Sequence, residues 1–150
     1  MGRQIKEGMQ WVYQHRYLRP LALNTHAWFL FHSMMTTVLV TYTIIELGFS
    51  SLVLGVALGA AGIGAVCGTT ISPLIGQNWG VGRSISFARF LFSPAVILIA
   101  MAPPAANDLQ ISALILVLIG QFVYGFAMGV EGPLEMGYRQ SITPTACKDV

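Results

Sequence analysis

The chain has 150 residues, of which 55% are hydrophobic and 9% charged, with a net charge of +2 and a mean hydropathy of +0.67. A soluble domain usually carries roughly 25% charged residues, so this chain has too few polar side chains to clothe a water-facing surface, and nothing in its charge calls for nucleic acid. Its two cysteines, Cys67 in an apolar run and Cys147 in a polar tail, form no CxxC and no evenly spaced framework, which predicts neither a disulfide nor a metal site.

Residues 1–20 carry Arg3, Lys6, Arg16 and Arg19 and lack a continuous apolar core, which excludes a cleaved signal peptide. Ile5, Met9, Val12 and Tyr13 recur at helical spacing among polar neighbours. The segment reads as a cytoplasmic leader, either a short helix on the membrane surface or a polar leader without fixed structure.

The first long apolar stretch, about 21–45, contains no Lys, Arg, Asp or Glu, and at about 1.5 Å per residue it exceeds the roughly 30 Å of a bilayer core. Glu46, Gly48, Ser50 and Ser51 predict a tight turn. A second stretch, about 52–75, is rich in small residues and is expected to end near Pro73 and Gly76. Residues 76–84, with Arg83, read as a cytoplasmic connector. The third span, about 85–101, has Arg89 near its start and Pro94 near its middle, where a lost backbone hydrogen bond predicts a kink. Pro103, Pro104, Asn107 and Asp108 break it, and a fourth span, about 109–130, follows. Residues 131–150, with Glu131, Glu135, Arg139, Lys148 and Asp149, read as a polar tail. The fold class is therefore all-α, a polytopic membrane protein with four transmembrane helices in residues 21–130.

All eight Lys and Arg fall in the leader, around the second connector or in the tail, and none in the first or third connector. Positive residues are retained on the cytoplasmic side, so both termini are expected in the cytoplasm.

Successive helical residues turn by about 100°, which brings Thr25, His32, Thr36 and Thr43 within about 40° of one another on the first span. His32 lies near mid-span, where an ionisable group requires water or a partner. It either lines a substrate path, with Thr36, or bonds a neighbouring helix for packing. His26 is explained by solvation near the interface. On the fourth span Gln121, Tyr124, Glu131 and Glu135 fall within about 80°, with Val117 and Met128. Gln121 and Tyr124 are deep enough to line a cavity, and Glu131 at the membrane edge is placed to pair with Arg83 or Arg89 as a latch. Glu135 reads as a solvated carboxylate.

On the second span Gly55, Gly59 and Gly62 share one face, and Gly64 and Gly68 another. Both sets contain GxxxG spacing, which permits close approach of helix backbones; Gly125 and Gly129 read the same way, as tight packing rather than a specific dimer. The chain contains no HExxH, no phosphate-cradling loop and no nucleophile elbow, and His15, His26 and His32 lack metal-binding spacing. No enzyme and no cofactor is expected.

The leader Lys6-Glu7-Gly8-Met9-Gln10-Trp11-Val12-Tyr13-Gln14-His15-Arg16-Tyr17-Leu18-Arg19 resembles the cytoplasmic segment before the seventh helix of the major facilitator superfamily, in the branch of drug and siderophore exporters similar to the enterobactin exporter. Tyr138-Arg139-Gln140-Ser141-Ile142-Thr143-Pro144 resembles the segment that follows the tenth helix there, and four spans separate the two, as the family requires. The connector Gly76-Gln77-Asn78-Trp79-Gly80-Val81-Gly82-Arg83 resembles the family's loop signature only at Gly82 and Arg83, since Trp79 and Gly80 stand where its acid and first base would be. After Pro144 the arginine-rich continuation is missing.

The resemblance implies one three-helix repeat and the first helix of the next, part of a bundle of about twelve helices whose substrate path runs between two halves. It implies a piece of a proton-driven exporter of a small, siderophore-like or drug-like molecule in the inner (plasma) membrane. In that reading His32, Thr36, Gln121 and Tyr124 line the cavity and Arg83 with Glu131 forms the cytoplasmic gate. The partners are then the lipid bilayer, a small-molecule substrate, and either the remaining helices or another copy of the chain. A different reading is a small four-helix homo-oligomer with a structural or assembly role, its glycine faces lying between subunits.

Overall fold

A computed structural model of the chain describes residues 18–104 and 110–142, together with positions 6, 9, 10, 13, 14 and 16 of the leader. No described residue lies in a strand, and from Leu18 onward the described residues form four helices. They are α1 (Leu18–Thr41), prolonged by a π-helical turn (Tyr42–Glu46), then α2 (Ser51–Trp79), α3 (Val81–Ala100) and α4 (Gln110–Ile142). All four are long and apolar enough to cross a membrane. In the leader Met9, Gln10, Tyr13 and Gln14 are helical and exposed, while Ile5 and Val12, like Lys148 and Asp149 of the tail, lie outside the described residues.

The chain divides into two compact units, Met1–Leu39 with Ser141–Val150, and Val40–Gln140. In the first unit α1 exposes Phe29, Leu30, Phe31, Met34 and Val38, the surface expected of a helix in lipid. Its hydroxyls are satisfied locally. Ser33, Thr36 and Thr37 each donate to the carbonyl four residues back, on Phe29, His32 and Ser33, at 2.9, 2.9 and 3.0 Å. This back-bonding lets a hydroxyl lie in hydrocarbon without an unpaired donor.

In the second unit α4 packs against both α2 and α3. Gly64 lies against Phe122 and Phe126, and Gly68 against Phe126 and Val130, so the numbers rise together and α2 runs parallel to α4. Gly120 lies against Ala95 and Ile99, and Tyr124 against Phe92, so α3 runs antiparallel to α4. Half of the apolar window of α4 is buried, against 17% for α2 and 22% for α3, which makes α4 the central helix of this unit. At one end Leu47, Phe49, Ala57, Ala102, Ala113 and Val117 form an apolar cluster. There the Tyr42 hydroxyl donates to the Ala102 carbonyl at 2.9 Å, and the π-helical turn tucks Thr43 wholly out of solvent.

The connector expected over 76–84 is a single residue. α2 continues past Pro73 to Trp79 and α3 begins at Val81, with Gly80 alone between them. Its φ of +81° lies in the region that L side chains rarely adopt, so glycine makes this one-residue reversal unstrained. Gly80 N–H donates to the Gly76 carbonyl, and Ser84 N–H to the Gly80 carbonyl, each at 3.1 Å. Nor does α4 stop at Val130, since it runs through Pro133 to Ile142, and the polar tail expected from residue 131 is helical for its first twelve residues. Both corrections have one cause. Polarity marks where hydrocarbon ends, whereas backbone hydrogen bonding carries the helix beyond that limit.

Candidate functional site

The residues that hold α4 in place are small. A Cβ built on Gly125 would fall on the backbone of Ala61, one on Gly129 on that of Ala65, and one on Gly64 on the Phe122 carbonyl. Helix backbones this close gain dispersion and interhelical polar contacts, the forces available to association within lipid. Gly64, Gly68, Ser72 and Gly76 continue the row at intervals of four. The Ser72 hydroxyl, fully buried, donates to the Val130 carbonyl at 3.0 Å. Ser72→Ala is expected to lower stability by about 0.6 kcal/mol, the average for interhelical hydrogen bonds in membranes; reversible unfolding in mixed micelles measures it. The face bearing Gly55, Gly59 and Gly62 is open, with nothing within 4 Å of an added Cβ.

This seam fixes which face of α4 meets α3, and the charges fall there. Arg89 donates from Nε to Glu131 Oε1 at 2.7 Å and from Nη2 to Glu135 Oε2 at 3.4 Å. Arg139, one turn beyond Glu135, donates to its other oxygen. The Glu131 and Glu135 side chains are only 10% and 16% exposed. Two guanidinium groups and two carboxylates sum to zero, which is how four charges are kept near hydrocarbon.

Two sequence expectations are corrected here. The partner of Glu131 is Arg89 and not Arg83, which stands exposed in the first turn of α3. Glu135 is not a solvated carboxylate but the bridge between Arg89 and Arg139. The i, i+4 spacing of Glu131, Glu135 and Arg139 carried the signal for this row, but only the packing of α3 on α4 selects Arg89.

Farther along the same face of α4, Gln121 and Tyr124 are buried. The Tyr124 ring meets Phe92 with centroids 5.0 Å apart. The Gln121 side-chain nitrogen has no hydrogen-bond partner. His32 and Thr36 belong to the first unit, where His32 is half-buried and stacks on Trp28 at 4.7 Å with an interplanar angle of 6°. Thr36 is exposed and bonded to its own helix.

No group of three His, Cys, Asp or Glu among the described residues could hold a metal ion. Four apolar spans and a polar face on the central helix of one unit define a multi-pass helical membrane protein. Comparison with protein-family models, with curated proteins and with solved structures gives no match to this chain.

Proposed function

We propose that the chain is part of a secondary transporter of the major facilitator type, moving a small amphipathic molecule outward at the expense of a proton gradient. The observation that carries this reading is the polar face of α4. Gln121 and Tyr124 lie deep within the span, and the Arg89–Glu131–Glu135–Arg139 network lies toward its C-terminal end. A helix serving only as a membrane anchor has no use for buried groups of this cost. The cation distribution supports a cytoplasmic position for the Gly80 reversal and the end of α4. The charged row then latches α3 to α4 on that side. Further helices, or another copy of the chain, supply the opposing wall of the path in the inner membrane.

A vesicle assay tests this. Inverted membrane vesicles from cells producing the chain together with its downstream reading frame are expected to take up ethidium when acidified inside, and to lose that uptake with a protonophore. Uptake no greater than in vesicles without the chain would refute the proposal. The open face with Gly55, Gly59 and Gly62 favours a second reading, a homo-oligomeric structural protein. In that case the vesicles show no uptake and crosslinking through this face gives a defined oligomer.

A further inference from the structure

The ion pairs at the charged end of the second unit leave one cation over. Arg89 and Arg139 are taken up by Glu131 and Glu135, while Arg83, in the first turn of α3, is exposed and makes no ion pair or hydrogen bond among the described residues. Glu46, the other carboxylate among the described residues, adjoins Leu47 of the apolar cluster at the opposite end of the unit. Beside Arg83 the surface is open, since a Cβ added at Gly80 or Gly82 meets nothing within 4 Å. The aromatic residues next to it are ordered by depth. The Trp79 ring, 55% exposed, stands edge-on to that of Phe87, with centroids 5.6 Å apart and an interplanar angle of 80°. Its indole N–H makes no hydrogen bond among the described residues. Phe87 and Phe90 follow Arg83 on one face of α3, at i+4 and i+7. Phe90 is 72% exposed and lies about 10 Å farther into the apolar span at about 1.5 Å per residue.

We infer that this face binds one anionic phospholipid, its phosphate on Arg83 and Trp79 and an acyl chain along Phe87 and Phe90. An exposed guanidinium without a carboxylate stays at the polar edge of a membrane, and indole rings favour the level between headgroup and chain. A free anion or an acidic protein would use Arg83, but neither reaches the exposed rings within the apolar span. A lipid carries its charge and its chain along that one line. Three arginines and two glutamates give this end of the unit a net charge of +1, which selects an anionic headgroup over a zwitterionic one, whose own cation offsets the attraction. The inference rests on the level of Arg83 at the membrane edge and not on the transport reading.

Trp11→Phe with Trp28→Phe leaves Trp79 as the one tryptophan of the chain. The full chain so changed is placed in phosphatidylcholine bilayers, into which phosphatidylglycerol brominated in its acyl chains is titrated, and in a parallel series phosphatidylcholine brominated in the same way. Bromine in contact with the indole quenches its fluorescence, so the two curves give the relative affinity of the two lipids for this face. Phosphatidylglycerol is expected to be preferred by about fivefold, the weight of one basic residue at an anionic headgroup. Arg83→Lys, which keeps the charge, is expected to retain the preference, and Arg83→Gln to remove it while melting like the parent. Equal quenching by the two lipids, or a preference that survives in Arg83→Gln, would overturn the inference. So would loss of the preference to inorganic phosphate but not to chloride of equal ionic strength, the behaviour of a site for a free anion.

Discussion

Gly125→Leu is expected to abolish the native arrangement of the second unit, whereas Gly59→Leu in the neighbouring helix leaves it intact. Position 125 has no room for even one carbon, because a Cβ there would lie on the carbonyl, carbonyl carbon and Cα of Ala61. These are backbone atoms of α2, held by its own hydrogen bonds, and they cannot rotate aside as a side chain does. Overpacking typically costs about 1–3 kcal/mol and occasionally more. Here the helices must separate, which also breaks the Ser72 to Val130 bond, so a loss of at least about 3 kcal/mol is expected. Gly59 meets nothing within 4 Å, and leucine there merely adds apolar surface to a lipid-facing helix. Unfolding in mixed micelles, followed by helical circular dichroism, reads both. A Gly125→Leu protein that unfolds like the parent would show that α2 and α4 do not cross at Ala61.

Arg89→Ala carries the second largest effect. Removing the guanidinium leaves Glu131 without its 2.7 Å partner at 10% side-chain exposure, and leaves Glu135 with Arg139 alone. Breaking a fully buried pair from one side costs about 3–5 kcal/mol. Arg89 is 37% exposed, and water reaches that end of the network, so about 2 kcal/mol is the better expectation. Adding Glu131→Gln to Arg89→Ala should recover most of the loss, because the second change removes the charge that the first one stranded. Arg83→Ala should leave stability within about 0.5 kcal/mol of the parent, as for a surface substitution. If Arg83→Ala were the more damaging change, the assignment of Arg89 as partner of Glu131 would fall.

The two predictions depend on each other through the register of α4. Gly125 and Gly129 face α2, while Gly120, Tyr124 and Glu131 face α3. A helix turns by about 100° per residue, so rotation of α4 by one residue would carry the glycines out of the seam and the carboxylates away from Arg89. The seam thus selects the rotation, and the charged row follows from it. Gln121 lies between the two faces on the helical wheel, which explains how an amide comes to be buried without being bonded.

The number of spans and the polar face of α4 were legible in the residues because both are periodic. Long charge-free runs mark hydrocarbon, and Gln121, Tyr124, Glu131 and Glu135 recur at helical spacing. The glycine pairs were legible as close-packing surfaces, yet Gly55 with Gly59 matches the same spacing as Gly64 with Gly68, and only the second pair is covered. The helices run on to Trp79 and Ile142, beyond the apolar runs, since a polar stretch leaving the bilayer looks like a loop while its backbone stays helical.

What the amino-acid order determined alone is everything local to one helix: which segments are apolar, which residues share a face, and where glycine permits a reversal such as Gly80. What tertiary structure decided is every pairing between helices, including Arg89 rather than Arg83 for Glu131, and Ala61 rather than a second chain for Gly125. The reason is physical. Hydrophobicity and helical spacing act within a segment, but the partner of a glycine face or a carboxylate depends on rotation and height of a second helix, and those settle only when the backbones touch.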